Sequence, residues 1–154
     1  MAGTKTKVGI LIHLREVNDF RLYLNKIKIE AASLGANLMI VIDETQYKVA
    51  QYFNPLDIKV YKFDTLDQAE KKFKSIKKVY LEPQRVMGKY KSQSLPDFDH
   101  PKSCIYITGP DAGTIPIKSR DRQKWVHIPV SIDKGIFYAE TALILTLYDR
   151  LTKI

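Results

Sequence analysis

The chain holds a single cysteine, Cys104, in 154 residues. One thiol closes no internal disulfide, which removes the stapled scaffolds of small secreted domains. Cys104 lies in the apolar run Cys104-Ile105-Tyr106-Ile107, where a buried packing role is expected. Long apolar runs are missing too, since no stretch approaches the roughly 18 residues that a membrane span requires. The opening MAGTKTK is polar, and the apolar run behind it is too short for a secretory signal. The expected location is the cytoplasm, with no membrane partner. His13, His100 and His127 are widely separated and Cys104 stands alone, so metal-ligand spacing is absent and no metal is expected. Neither a P-loop nor GxGxxG occurs, and no nucleophile elbow supports Ser-His-Asp chemistry. Acids are the scarcer charge, 17 Asp and Glu against 25 Lys and Arg, a formal excess of +8. That balance favours a polyanionic partner such as RNA or DNA.

What is present has the makeup of an ordinary globular chain, 45% hydrophobic and 27% charged. The length suits one domain, residues 1–154, with a sizeable core. Short β-rich runs alternate with helical stretches. Residues 7–14 and 38–42 read as strands, the second unbroken and apolar, as for a strand covered on both faces. Residues 17–34 read as a helix, with Leu24, Ile27, Ala31 and Leu34 at steps of three and four and Gly35 placed as its C-cap. A short helix is expected over 45–53 and a strand over 58–63. Thr65 is placed to cap a helix reaching Phe73, with Leu66, Ala69 and Phe73 on one face. Further strands are expected at 76–81, 103–108 and 125–130, and a last helix at 137–151. Residues 84–102 hold Gly88, Pro96, Pro101 and no clear period, which reads as a long surface loop. Such alternation implies an α/β fold with a mainly parallel sheet flanked by helices. Ligands in such sheets gather at the carboxyl ends of strands, here after Leu14, Leu81, Thr108 and Val130.

Two of those ends carry a recognisable order of residues. Thr108-Gly109-Pro110-Asp111-Ala112-Gly113 follows one strand, and Ile128-Pro129-Val130 follows the next. A loop to Gly135 then leads into Phe137-Tyr138-Ala139-Glu140-Thr141-Ala142 and on to Leu147-Tyr148-Asp149-Arg150. Upstream, Ser33-Leu34-Gly35-Ala36-Asn37-Leu38 joins helix to strand. In order and spacing this resembles the TrmH-type members of the SPOUT (SpoU–TrmD) RNA methyltransferases, over nearly the whole chain. The resemblance implies a SPOUT-like α/β fold with a C-terminal trefoil knot. It also implies S-adenosylmethionine as cofactor, tRNA or rRNA as partner, and a homodimer through the knot region. By the same resemblance Thr108, Gly109, Asp111, Gly113, Ile128, Val130, Ile136 and Ala139 line the cofactor pocket. Leu81, with Tyr80 and Glu82, closes another side.

The chain departs from that pattern where the family's catalytic groups stand. Counting back from Gly35, the family's Arg falls on Ile29 and its Asn on Tyr23. Asp111 replaces a Glu, and the loop from Asp111 to Gly113 is one residue shorter. In the third motif the usual Asn falls on Tyr138 and the serine on Glu140. Glu140, Tyr138 and Arg21 are the substitute catalytic candidates, although a carboxylate at Glu140 also simply stabilises a helix start. Basic residues cluster at Lys71, Lys72, Lys74, Lys77 and Lys78, at Arg85, Lys89 and Lys91 around Tyr90, and at Lys118, Arg120, Arg122 and Lys124. The residues of the latter two clusters Arg85, Lys89, Tyr90, Lys91, Lys118, Arg120 and Arg122 are candidates for RNA contact, through phosphates and base stacking. Three functions stay open: ribose 2′-O methylation of RNA, a catalytically inactive RNA-binding or protein-interaction module on the same fold, and an unrelated nucleotide-binding α/β domain.

Overall fold

The computed structural model describes residues 5–14, 20–43, 58–87, 91–109, 115, 124–132 and 135–154, with backbone alone at 20–23. Strands β1 (Val8–Leu14), β2 (Leu38–Asp43), β3 (Lys59–Phe63), β4 (Lys77–Leu81), β5 (Gln93–Ser94), β6 (Cys104–Thr108) and β7 (Lys124–His127) form one sheet. Its order is β3-β2-β1-β6-β4-β7-β5, and every pairing is parallel. Helices α1 (Phe20–Ser33), α2 (Leu66–Lys72), α3 (Gln84–Met87) and α4 (Ala139–Lys153) accompany it. The first three strands spread outward from β1. The chain then crosses to β4, and β6 later enters between β1 and β4, as β7 does between β4 and β5.

Parallel strands need cover on both faces, and β1, β2 and β6 are buried at every position. Successive side chains alternate between the two faces. Val8, Ile10, Ile12 and Leu14 of β1 pack with Leu24, Ile27 and Ala31 of α1 and with Leu143 and Leu147 of α4. Leu11 joins Leu38, Ile40 and Ile42 of β2, Leu66 and Ala69 of α2, and Trp125 in a second core. Each large side chain so buried contributes about 1.5–3 kcal/mol.

Local chemistry sets the element ends. Gly35 takes φ 97°, the left-handed conformation in which a Cβ is unfavourable. There the N–H of Ala36 bonds Ala31 O at 3.0 Å and that of Gly35 bonds Ala32 O at 3.0 Å, closing α1 as a Schellman turn. Asn37 then ties the entrance of β1 down, accepting from Val8 N at 3.0 Å and donating to Thr6 O at 2.8 Å. Thr65 caps α2 by accepting from Gln68 N, and Gln68 Oε1 accepts in turn from Asp64 N at 3.1 Å.

Residues 84–102 correct the expectation of a surface loop. They carry α3, β5 and a 3-10 turn at Leu95–Asp97, and they bury Met87, Leu95 and Phe98. The carboxyl end of α4 fastens this segment. Arg150 donates to the carbonyls of Pro101 and Lys102 at 3.3 and 2.6 Å. Lys153 Nζ donates to those of Leu95, Pro96 and Phe98 at 2.9, 2.9 and 3.1 Å. His100 bridges Tyr106 Oη at 2.6 Å and Asp149 Oδ2 at 2.7 Å. A carboxylate only accepts, so Nε2–H donates to Asp149 and Nδ1 accepts from the tyrosine hydroxyl in the neutral ring. Burial holds the His100 pKa below its ordinary value against the opposing pull of Asp149.

Two other expectations shift at their edges. The last helix starts at Ala139 rather than 137, because Tyr138 is extended (φ −60°, ψ 155°) and serves as the N-cap. The seventh strand runs from Lys124 and stops at His127, two residues before Pro129, which has no N–H for a ladder. The helix expected at 45–53 lies outside the described residues. No helix among the described residues is long and apolar enough to cross a membrane.

Candidate functional site

The carboxyl ends of β4, β6 and β7 lie side by side because β6 and β7 flank β4 in the sheet. All three strands end there, and residues 128–132 and 135–138, between β7 and α4, line the space beside them. The result is a cavity of about 820 Å³, the size of a small-molecule site. Leu81 to Val86 form one wall, Thr108 and Gly109 the floor beside it, and residues 128–132 with 135–139 the other side. Val126 and Ala142 complete it.

Of the residues assigned to a cofactor by resemblance, Leu81, Thr108, Gly109, Ile128, Val130, Ile136 and Ala139 all line this cavity. Asp111 and Gly113 lie outside the described residues. Tyr138 stands at the cavity, 68% exposed. Glu140 is half-buried in the first turn of α4 and is not part of the wall. Arg21 lies on α1, where the backbone alone is described. Arg85 lines the cavity from α3. Lys91 is exposed ahead of β5, away from the wall. Lys89, Tyr90, Lys118, Arg120 and Arg122 lie outside the described residues.

Tyr80 does not close the cavity, which corrects its expected place. It alternates with Leu81 and points into the opposite core, its ring 5.1 Å from Trp125 and its hydroxyl 3.3 Å from Glu70. Burial raises the Tyr80 pKa far above the usual phenol range, and Glu70 adds to it. Tyr80 is therefore a neutral packing group. His13 is buried at the end of β1 and does not line the cavity. His127 is buried on β7, and its Nδ1 lies 2.6 Å from Ser92 Oγ, pinning the short β5 to its neighbour.

Sequence reasoning missed how the cavity is braced. The buried carboxylate of Glu82 accepts the N–H of Ile115 at 2.7 Å, stitching the turn after β4 to the loop after β6. Its backbone N–H bonds Val126 O at 3.2 Å, so the same residue also fixes β7. Thr108 directs its hydroxyl to Leu11 O at 3.0 Å. A Cβ on Gly109 would sit 3.2 Å from Ile115 Cγ1, so that close approach of loop to strand end suits glycine. A Cβ on Gly135 would meet Ile132 Cγ1 at 2.9 Å and Val130 Cβ at 3.1 Å. Glycine is thus the residue that lets the backbone at 135 come this close to Val130 and Ile132 at the cavity, with Gly135 N bonding Ile132 O at 3.0 Å.

Solved structures with this architecture include RNA methyltransferases. An RNA 2′-O ribose methyltransferase superposes with a TM-score of 0.70 at 14% identity, over 96% of this chain and 56% of its own. The SpoU methyltransferase AviRb from Streptomyces viridochromogenes, in complex with AdoMet, gives 0.69 at 14% identity, over 96% and 57%. A structure that describes 2-OH methylation of C/U34 on tRNA gives 0.73 at 10% identity, over 97% and 91%. The chain thus spans little more than half the length of the first two and nearly all of the third. No family profile and no curated protein sequence matches the chain. At such identities it is the path of the chain that is shared: the protein has the fold of the SpoU-type RNA methyltransferases.

Proposed function

We propose that the chain is an S-adenosylmethionine-dependent RNA methyltransferase that modifies a ribose 2′-hydroxyl of tRNA or rRNA in the cytoplasm. The observation that carries this reading is the cavity of about 820 Å³ at the ends of β4, β6 and β7, in a fold shared with an AdoMet-bound SpoU enzyme. The residues fit the cofactor's chemistry. Leu81, Ile128, Ala139 and Ala142 give an apolar wall for a purine, and Arg85 supplies a cation for a carboxylate. Bound there, S-adenosylmethionine supplies an electrophilic methyl group. The chain's own work is then to hold an RNA hydroxyl at the cavity mouth and take its proton. Tyr138 offers an exposed ring on which a base can stack. We assign proton acceptance to Glu140, in the first turn of α4 next to Ala139 of the wall.

The entry of β6 and β7 between earlier strands supports the C-terminal trefoil knot that the resemblance implies. A stripe of exposed apolar side chains, Tyr148 and Leu151 on α4 and Ile154 just beyond it, supports a homodimer. One observation favours the second reading, an inactive binding module. Ile29, where the resemblance calls for an arginine, is an apolar side chain 47% exposed on α1.

Labelled methyl transfer from S-adenosylmethionine to tRNA and to rRNA, followed by nuclease digestion, separates these readings. Active protein yields a 2′-O-methylated nucleoside, and Glu140→Gln lowers turnover by about 100-fold while cofactor affinity stays. RNA binding without cofactor binding or transfer selects the inactive module.

A further inference from the structure

The edge of the sheet opposite the cavity is a field of lysine. Every pairing is parallel, so the first residues of the strands share one edge. Lys59 and Lys77 open β3 and β4, Lys7 directly precedes β1, and Lys102 stands two residues before β6. Register sets them along a line. Lys59 lies beside Leu38 and Leu38 beside Gly9, while Lys77 and Val8 both flank Cys104. Helix α2 returns from the far end of β3 to the start of β4. It brings Lys71 and Lys72 in its last turn, and Lys74 just beyond, to the same edge.

All of these side chains are exposed, and no ion pair among the described residues involves any of them. Among the described residues, the carboxylates on that edge are Glu30 in the last turn of α1, and Asp97 and Asp99 ahead of β6. Other acids are engaged elsewhere, Asp149 with His100 and Lys153, Glu70 with Tyr80, and Glu82 with Ile115. Seven exposed lysines thus stand against three carboxylates among the described residues of this edge. At strand spacing the row from β3 to β4 spans about 19 Å, and it lies about 13–20 Å from the cavity along the strands.

We propose that this amino edge is a docking surface for the phosphate backbone of a folded RNA, separate from the cavity. It rests on the RNA half of the proposed function and not on methyl transfer. Lysines of this kind hold and orient a backbone without reading its sequence. They let the body of an RNA be gripped while another part reaches the opposite end of the strands.

The test is fluorescence anisotropy of labelled, unfractionated tRNA across a salt series, with cofactor affinity measured on the same samples. Lys77→Glu is matched in net charge by Lys26→Glu, which is exposed in the middle of α1. Lys77→Glu should weaken tRNA binding about fivefold near 0.1 M salt and reduce the slope of log K against log salt by about 0.7–0.9. Lys71→Glu/Lys72→Glu/Lys77→Glu should weaken it about 100-fold or more, with cofactor affinity and unfolding temperature held. Lys26→Glu should change it less than about twofold. Equal effects of Lys77→Glu and Lys26→Glu, an unchanged slope in the triple variant, or a parent protein that ignores tRNA would each overturn the proposal. A parent protein that binds tRNA through this edge yet ignores S-adenosylmethionine keeps this inference and removes the methyltransferase.

Discussion

At Gly135 a single hydrogen stands where any side chain would collide with Ile132 and Val130. Gly135→Ala forces the backbone at 135 away from Val130 and Ile132, at a cost of about 1–3 kcal/mol, and cofactor affinity should fall with it in a binding titration. Gly35→Ala is the contrasting case. Nothing lies within 4 Å of a Cβ there, so the cost is purely the positive φ of 97°, about 1–2 kcal/mol. Denaturant melts should show that loss with cofactor binding unchanged; equal loss of both properties would contradict the separation. Gly35 was legible from sequence because a helix end announces itself over neighbouring residues. So were the places of Thr108 and Gly109, at the end of β6, and of Ile128, directly after β7. The bond from Glu82 to Ile115 was not, because 33 residues separate the partners and only folding brings the two loops together. Tyr80 was misplaced for a simpler reason: neighbours on a strand face opposite sides, and proximity in sequence to Leu81 says nothing about a shared wall.

Among the elements, α4 ties the molecule together through its last turns. Lys153→Met removes donors to the carbonyls of Leu95, Pro96 and Phe98 and the 2.8 Å contact to Asp149. The side chain is about one-third exposed (32%), so water recovers part of the loss, and a destabilisation of about 1–3 kcal/mol is expected in urea melts. The same latch sets a pH response. Burial holds His100 and His127 below the ordinary histidine pKa of 6.5. Below that value the unfolded chain takes up protons that the folded chain refuses, so stability is full above about pH 6.5 and falls as pH drops toward the folded pKa values. Burial alone would raise the Asp149 pKa, but hydrogen bonds from Lys153 and His100 hold it down. Its contribution is present above the ordinary value of 3.8 and is lost only in stronger acid. Unfolding free energy should therefore decline between pH 7 and pH 5, with a shallower decline in His100→Gln; a flat profile would contradict the neutral latch. None of this was legible in residues 84–102. Met87, Leu95 and Phe98 are buried without a helical or strand period, and His100 meets Asp149 across 49 residues. By contrast β1, β2 and β6 were legible because unbroken apolar runs require cover on both faces.

For the whole molecule, the alternation of strands and helices already required a parallel sheet, and the sheet is parallel throughout its described pairings. The strand order was not readable from the residues themselves, because β6 and β7 take slots left open between strands made earlier. That insertion places three strand ends around one cavity and leaves the lysines on the opposite edge. It also leaves Tyr148 and Leu151 exposed on α4. If that stripe is the dimer contact, Tyr148→Glu/Leu151→Glu should halve the mass measured by sedimentation while leaving the fold intact; an unchanged mass would remove α4 from the interface. The most direct test of the account as a whole is calorimetric titration of the protein with S-adenosylmethionine, beside Gly109→Trp, which fills the cavity floor. The parent protein should bind saturably at one site per chain and the variant not at all. No binding to the parent protein at millimolar ligand, or equal binding by both, would contradict it.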